Sequence, residues 1–288
     1  MSYSISDYIV HRIPKRSGGV RVLHEPKPEL KALQKSVLRW LQARGLGGGK
    51  RSHAFERGRS IATHARLHVG RKVVVRLDLK DFFGSTTAYM VRNALVHEGL
   101  SSEQAQEIVD ICCLDGSLPA GAPCSPLLAN VAAKRMDLRL AALAESRKAT
   151  YSRYADDETF SSDEGDLNGL IPAVDAIVSD CGYRLNRKKT LVMRSGHRQL
   201  VTGLVVNKGL NAPRELRRNL RAQLHGLKCS LLNGEEFDSV SFERAKGMAA
   251  FVHSVNPDGA DNLRHSIKEI ESILLIREQT TEAYAEAA

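Results

Sequence analysis

The sequence predicts an α+β chain with a small antiparallel sheet and a separate helical end. Three observations predict it. RKVVVRLDL, residues 71–79, is a β-branched run that reads as a buried strand ending on an acid. YSRYADDETFSS, residues 151–162, reads as two short strands around a tight Ala-Asp-Asp turn. From Asn211 onward the chain is basic and helical in pattern, beginning PRELRRNLRAQLHGLK.

The elements follow in chain order. Ser6 to Val22 mixes short apolar stretches with the basic turn PKRSGG. After Pro26 and Pro28, Leu30, Leu33, Val37, Leu38 and Leu41 recur at helical spacing until Gly45 and the triple glycine Gly47 to Gly49. That stretch is no phosphate-binding P-loop, because Arg44 and Arg51 stand where the motif needs Gly and Ser or Thr. In SSEQAQEIVDICC, Ser101 and Gln104 form a capping-box pattern, and Ala105, Ile108, Val109, Cys112 and Cys113 line one face. The turn-rich DGSLPAGAPCSP leads into a long Ala/Leu-rich helix, with Ser125 as its cap and Pro126 as its first residue. A helix near Leu167–Cys181, a return through GYRLNRKKTLVM and a strand pair in RQLVTGLVVN complete the front part. Helices continue to about Arg277, and the last ten residues read as frayed.

Composition narrows the class. The chain has 288 residues, 42% of them hydrophobic, enough for a sizeable core. It shows neither the apolar run of about 18 residues that a membrane span needs nor a signal-peptide core, so a soluble cytoplasmic protein with no membrane partner is expected. Five cysteines without CxxC spacing read as reduced thiols rather than a zinc site. Lys and Arg total 42 against 33 acids, a net charge of +9 that fits either a polyanionic partner or a generic basic surface. An aromatic content of 5% argues against a single-strand binder built on stacking.

The acids carry the chemistry. Two-metal phosphoryl transfer needs ions about 3.5–4 Å apart, and magnesium takes one or two protein carboxylates per ion. Carboxylates from two places must therefore converge at a sheet edge. Asp78 ends one strand, and Asp156 and Asp157 sit at a hairpin tip, where adjacent acids repel unless a cation neutralises them. The alternative for the pair alone is an Asp-rich surface turn.

Several boxes, in order, resemble reverse transcriptases. Tyr154-Ala155-Asp156-Asp157 matches their YxDD box, and RLDLKDFF matches their first acidic box. The resemblance implies a right-hand polymerase holding two Mg2+ ions, with Mn2+ as a substitute. Asp78, Asp156, Asp157 and the Leu79 carbonyl are the implied metal ligands. Phe83 falls on the steric-gate position, where a ring would select deoxynucleotides, or it packs in the core beside Phe82. LPAGAPCSP resembles the LPQGxxxSP loop that holds template base and nucleotide; Ala120, before Gly121, replaces the usual Gln and removes its amide. GYRLNRKKT resembles the box whose lysine gives a proton to pyrophosphate, at Lys189, or is a solvated basic turn. IPKRSGGVRVLHEPKPELKALQ and HAFERGRSI resemble bacterial fingers segments. Arg21 and Arg59 there are candidates for the triphosphate, or make structural ion pairs.

Two stretches narrow the likeness to retron-type enzymes. VTGLVVN supplies the VTG element, Val201, Thr202 and Gly203. HARLH stands where those enzymes carry NAxxH, keeping His68 and placing His64 for Asn. The resemblance implies fingers and palm over residues 1–207 and a helical, duplex-binding thumb over 208–288. It implies deoxynucleoside triphosphates as substrates and a structured noncoding RNA as template and primer. The product would be a branched RNA–DNA molecule, made in an anti-phage unit with an effector protein. In the thumb, Arg214, Arg217, Arg218, Arg221 and Lys228 either track duplex phosphates or form a solvated helix face. The alternatives are a non-retron defence reverse transcriptase, an intron-type maturase, disfavoured without an appended endonuclease, or a catalytically weak RNA-binding scaffold.

Overall fold

In the computed structural model, residues 3–15, 18–164, 167 and 169–286 are described. The chain divides into two compact units, Met1–Thr202 and Gly203–Ala288.

The first unit opens with a hairpin of β1 (Tyr8–Pro14) and β2 (Val20–Pro26), paired antiparallel with Ile13 opposite Arg21. Only Tyr8 and Pro26, at its base, are buried. The usual alternation of inward apolar residues is therefore missing, and the sequence shows mere apolar stretches where there are strands. Arg16 and Ser17, in the basic turn, lie outside the described residues. Helix α1 (Pro28–Ala43) starts with proline in its first turn and stops as expected at Gly45, whose φ of 74° few other residues adopt. Helix α2 (Ile61–Arg66) is capped by Ser60 and Thr63.

The sheet has four strands in the order β4-β5-β3-β6, each antiparallel to its neighbour. They are β3 (Val73–Asp78), β4 (Thr150–Tyr154), β5 (Asp157–Ser162) and β6 (Leu191–Arg194). Central β3 is the expected β-branched run, with Val73, Val74, Val75 and Leu77 buried. Between β3 and β4 lie α3 (Phe82–Ser85), α4 (Ala88–His97), α5 (Ser102–Cys112) and α6 (Ser125–Ser146). The capping box at Ser101 and Gln104 forms as expected. Ser125 does not cap α6: it is the first helical residue, and its hydroxyl donates to the Pro119 carbonyl at 2.7 Å, leaving Cys124 in the cap position. Helix α7 (Leu170–Asp180) follows β5. Leu95, Leu128, Leu140, Phe160 and Val174 join β3 in one core. All five cysteines are free thiols.

The turn Thr202-Gly203, with φ of 46° and 80°, joins β7 (Leu200–Val201) to β8 (Leu204–Val205). The second unit then forms α8 (Arg214–Leu232), α9 (Ser239–Val255) and α10 (Asp261–Glu286) around Leu220, Leu224, Phe242, Val252 and Ile270. Helix α10 continues past the Arg277 expected for the last helix, because good helix formers such as Glu, Gln and Ala recur through Glu286.

Candidate active site

Register brings the three aspartates together. Asp78 is the last residue of β3 and lies directly opposite Asp157, the first of β5. The turn between β4 and β5 passes through Ala155 at φ 57°, and the Leu79 N–H donates to the Asp156 carbonyl at 2.8 Å. One backbone bond thus ties the second carboxylate's residue to the strand carrying the first. The return segment closes the group: Lys189 Nζ donates to Asp78 Oδ1 at 2.6 Å and Asn186 Nδ2 to Oδ2 at 3.2 Å.

The electrostatics follow from that crowding. Burial raises Asp157 to about 6, reinforced by the Asp156 charge and opposed by Arg76. Asp156 is also raised, by burial and then by Asp78, while Lys189 and Arg21 pull it down. Arg21, on β2, thus exerts a minor opposing influence on Asp156. Lys189 is raised chiefly by its hydrogen bond to Asp78. Arg76 and Asn186 went unnoticed in the sequence, although the two-residue alternation from Asp78 puts Arg76 on the same sheet face.

Beneath the hairpin lies a second charged group, missed because an arginine beside a turn reads as surface. Arg153 is wholly buried and makes a two-pronged pair with Asp137 of α6, both bonds at 2.8 Å. Tyr151 donates to the same carboxylate at 2.7 Å. Glu158, next to Asp157 but on the opposite sheet face, is buried with neither carboxyl oxygen bonded, and burial raises it to about 8.

The remaining candidates vary in exposure. Phe83 is half-buried, its ring 5.6 Å from Phe82 and 6.3 Å from the exposed Phe55. Ala120 accepts a 2.7 Å bond from the His24 N–H through its carbonyl. Gly121 has φ 109°, and a Cβ there would sit 3.2 Å from the His24 carbonyl oxygen. Arg59 donates to the carbonyls of Gly49 and Ser52, so it braces the glycine loop. That loop is glycine-rich for a packing reason, since a Cβ on Gly48 would fall 2.6 Å from Ser52 Cβ. His68 is fully buried, hydrogen-bonded to Ser161 at 2.7 Å and Ser152 at 2.8 Å, so its contacts are with the sheet. Neighbouring His64 is equally buried, its ring 5.8 Å from Tyr154. Val201 is buried, and Thr202 donates to the Ile61 carbonyl at 3.0 Å. Gly203 is exposed. On α8, Arg214, Arg218 and Arg221 are exposed and Arg217 is half-buried, while Lys228 pairs with Glu269 at 3.1 Å.

Comparison with known proteins decides the family. Residues 13–210 match the family described as reverse transcriptase (RNA-dependent DNA polymerase). The retron Ec86 reverse transcriptase of Escherichia coli is 33% identical, over 88% of this chain and 77% of its own length. The chain belongs to the retron-type reverse transcriptases. The retron Mx65 and Mx162 reverse transcriptases of Myxococcus xanthus are 41% and 38% identical, over 90% and 92% of this chain. The chain spans 64% and 61% of the length of those two relatives. Telomerase of Candida albicans, solved with a fragment of telomeric RNA, shares the fold at a TM-score of 0.54. It is 11% identical, and the match covers 95% of this chain and 66% of that one. Apo telomerase of Candida tropicalis gives a TM-score of 0.53 at 12% identity, covering 91% of this chain and 58% of that one. The architecture is the right-hand polymerase fold of this family.

Membership brings a divalent-metal requirement. The donors fit a hard cation: three carboxylate residues on one sheet rim, two of them with raised pKa because they are buried together. Among the described residues no three His, Cys, Asp or Glu side chains are grouped to hold an ion as they stand. Asp78 is paired instead with the Lys189 ammonium, at 2.6 Å. No helix among the described residues is long and apolar enough to cross a membrane.

Proposed function

We propose that this chain is an RNA-directed DNA polymerase that copies a structured noncoding RNA into a branched RNA–DNA product within an anti-phage defence system. The observation that carries the reading is the Asp78–Asp157 register pair, with Asp156 tied to Leu79 in a chain of this family. Asp78, Asp156 and Asp157, with the Leu79 carbonyl, would hold Mg2+, or Mn2+ in its place. Held there, such ions would supply activation of the attacking hydroxyl and charge for the leaving pyrophosphate. The chain's own groups do the rest. Lys189, whose ammonium donates to Asp78, would give its proton to the departing pyrophosphate. Arg21 is a triphosphate contact, Phe83 a sugar gate, and the Ala120–Gly121 backbone the floor of the nucleotide site. Arg59 reaches the triphosphate only with donors that its bonds to Gly49 and Ser52 leave over.

Residues up to 207 serve as fingers and palm and the following helices as thumb. There the arginines of α8 would follow duplex phosphates, and Thr202 and Gly203 would face the RNA, with buried Val201 and His68 supporting that surface from behind. An effector protein completes the unit. Primer extension with magnesium on parent and Asp156→Asn/Asp157→Asn proteins tests the catalysis; equal behaviour of the two would sink it and leave an RNA-binding scaffold. Copurifying nucleic acid tests the product: a branched species resists RNase alone and DNase alone. Replacing Arg217 and Arg221 with Ala should lower the salt slope of RNA binding by about two; an unchanged slope removes the phosphate assignment.

A further inference from the structure

The Asp156–Asp157 turn is an awkward piece of backbone. Ala155 has φ 57°, a left-handed conformation that its Cβ disfavours. The two residues after it are acids that repel each other. Something must hold such a turn in one shape, and the hairpin's own ladder ends at the Tyr154–Asp157 pair.

The side chain that reaches the turn from below is Arg153. Its Nη1 donates to the Ala155 carbonyl at 2.9 Å and to Asn130 Oδ1 at 3.1 Å. Its Nε and Nη2 grip Asp137. Burial works against its charge, but Asp137 more than compensates, so the guanidinium stays protonated. The backbone is fixed as well: the Arg153 N–H donates to the Arg51 carbonyl and its carbonyl accepts from the His53 N–H, both at 2.8 Å. One residue is thus clamped by α6 on one side and the 51–53 segment on the other, and its second Nη1 N–H lies on the turn. A guanidinium does this because its planar fork supplies several donors at fixed angles; an ammonium has no such fork.

We propose that Arg153 is a positioning residue for the reaction, fixing the Asp156 and Asp157 carboxylates through the Ala155 carbonyl without itself touching substrate. The inference rests on the polymerase reading, and its test is built to fail separately. Arg153→Lys keeps a positive charge against Asp137 and loses the second prong. Extension by this variant should fall about 10- to 100-fold, as misplacement of reacting groups does. Its KM for deoxynucleotide should stay within about twofold. The magnesium concentration for half-maximal rate should rise, with the melting temperature lowered by only a few degrees, about 2–8 °C.

Kinetics within about twofold of the parent, or a loss in rate no larger than the loss in folded protein, would overturn the proposal. Should Arg153→Lys fail to fold, Asn130→Ala leaves the Asp137 fork intact and removes the contact that aims Nη1. The same pattern at smaller size supports the assignment, and parental kinetics refute it. Should the parent itself not extend a primer, the polymerase reading falls, and amide exchange in metal-free protein then decides this one. Faster exchange at Ala155–Glu158 in Arg153→Lys, with Val73–Leu77 unchanged, upholds Arg153 as the brace of the turn; equal exchange throughout rejects it.

Discussion

Two charged groups sit on opposite faces of the same hairpin and are built in opposite ways. On the outer face, Asp78 and Asp157 lie side by side with Asp156, and burial and mutual repulsion raise the last two. On the inner face, Arg153 and Asp137 are buried more deeply, yet every prong of the pair has a partner at ordinary hydrogen-bond length. The difference separates two uses of charge. Where the protein satisfies its own ions, removing one member damages the fold. Where it leaves like charges pressed together, removing one relieves the fold, and a function must explain their presence.

The largest effect should come from the outer face. Asp156→Asn is expected to cut primer extension by about 10²–10³-fold or more, while the melting temperature stays level or rises. A fall in melting temperature that matches the lost activity would break the distinction. Next comes the inner face. Asp137→Ala strands a buried guanidinium and should cost about 3–5 kcal/mol in urea unfolding; a loss under about 1 kcal/mol, the size of a surface pair, would show that Arg153 is not truly desolvated.

Smaller effects sharpen the comparison through pH. Asp157 has a folded pKa of about 6 against an ordinary value of 3.8, so its ionisation penalises the fold as pH rises through that window and the full penalty stands above it. In metal-free buffer Asp157→Asn should therefore stabilise the protein at pH 8 by on the order of 1–2 kcal/mol after solvent screening. Near pH 3.5, by the same linkage, it should change little. A variant equally or less stable than the parent at pH 8 contradicts the crowding. Glu158 binds its proton in the folded state up to about 8 and lets it go near 4.5 when unfolded. Its contribution thus declines as pH rises from the lower value to the upper and is spent above it. Glu158→Gln should match the parent near pH 4 and exceed it near pH 9; parallel urea-midpoint curves for the two would rule out a protonated Glu158.

Much of this was legible in the sequence for identifiable reasons. The β3 run is buried on both faces, so β-branched residues follow one another without polar interruption. The α5 cap is a local motif whose partners are three residues apart, and the hairpin turn announces itself between two strand-like runs. The pieces that went unread depend on distant partners. The β1–β2 hairpin buries almost nothing, so it lacks alternation. Ser125 looks like a cap until the Pro119 carbonyl is found to hold its hydroxyl. Nothing local announces that Arg59 also holds the Gly49 and Ser52 carbonyls. Arg153 and Asp137 lie sixteen positions apart, and nothing local says that an arginine beside an acidic turn points inward.

The Ala120–Gly121 peptide has a mechanical consequence. His24 holds it by a backbone hydrogen bond, and the same residue's backbone would crowd a β-carbon at position 121. The exposed hairpin and the LPAG loop are therefore coupled as one lever. A tilt of the first strands would drag the main chain of the loop along with it.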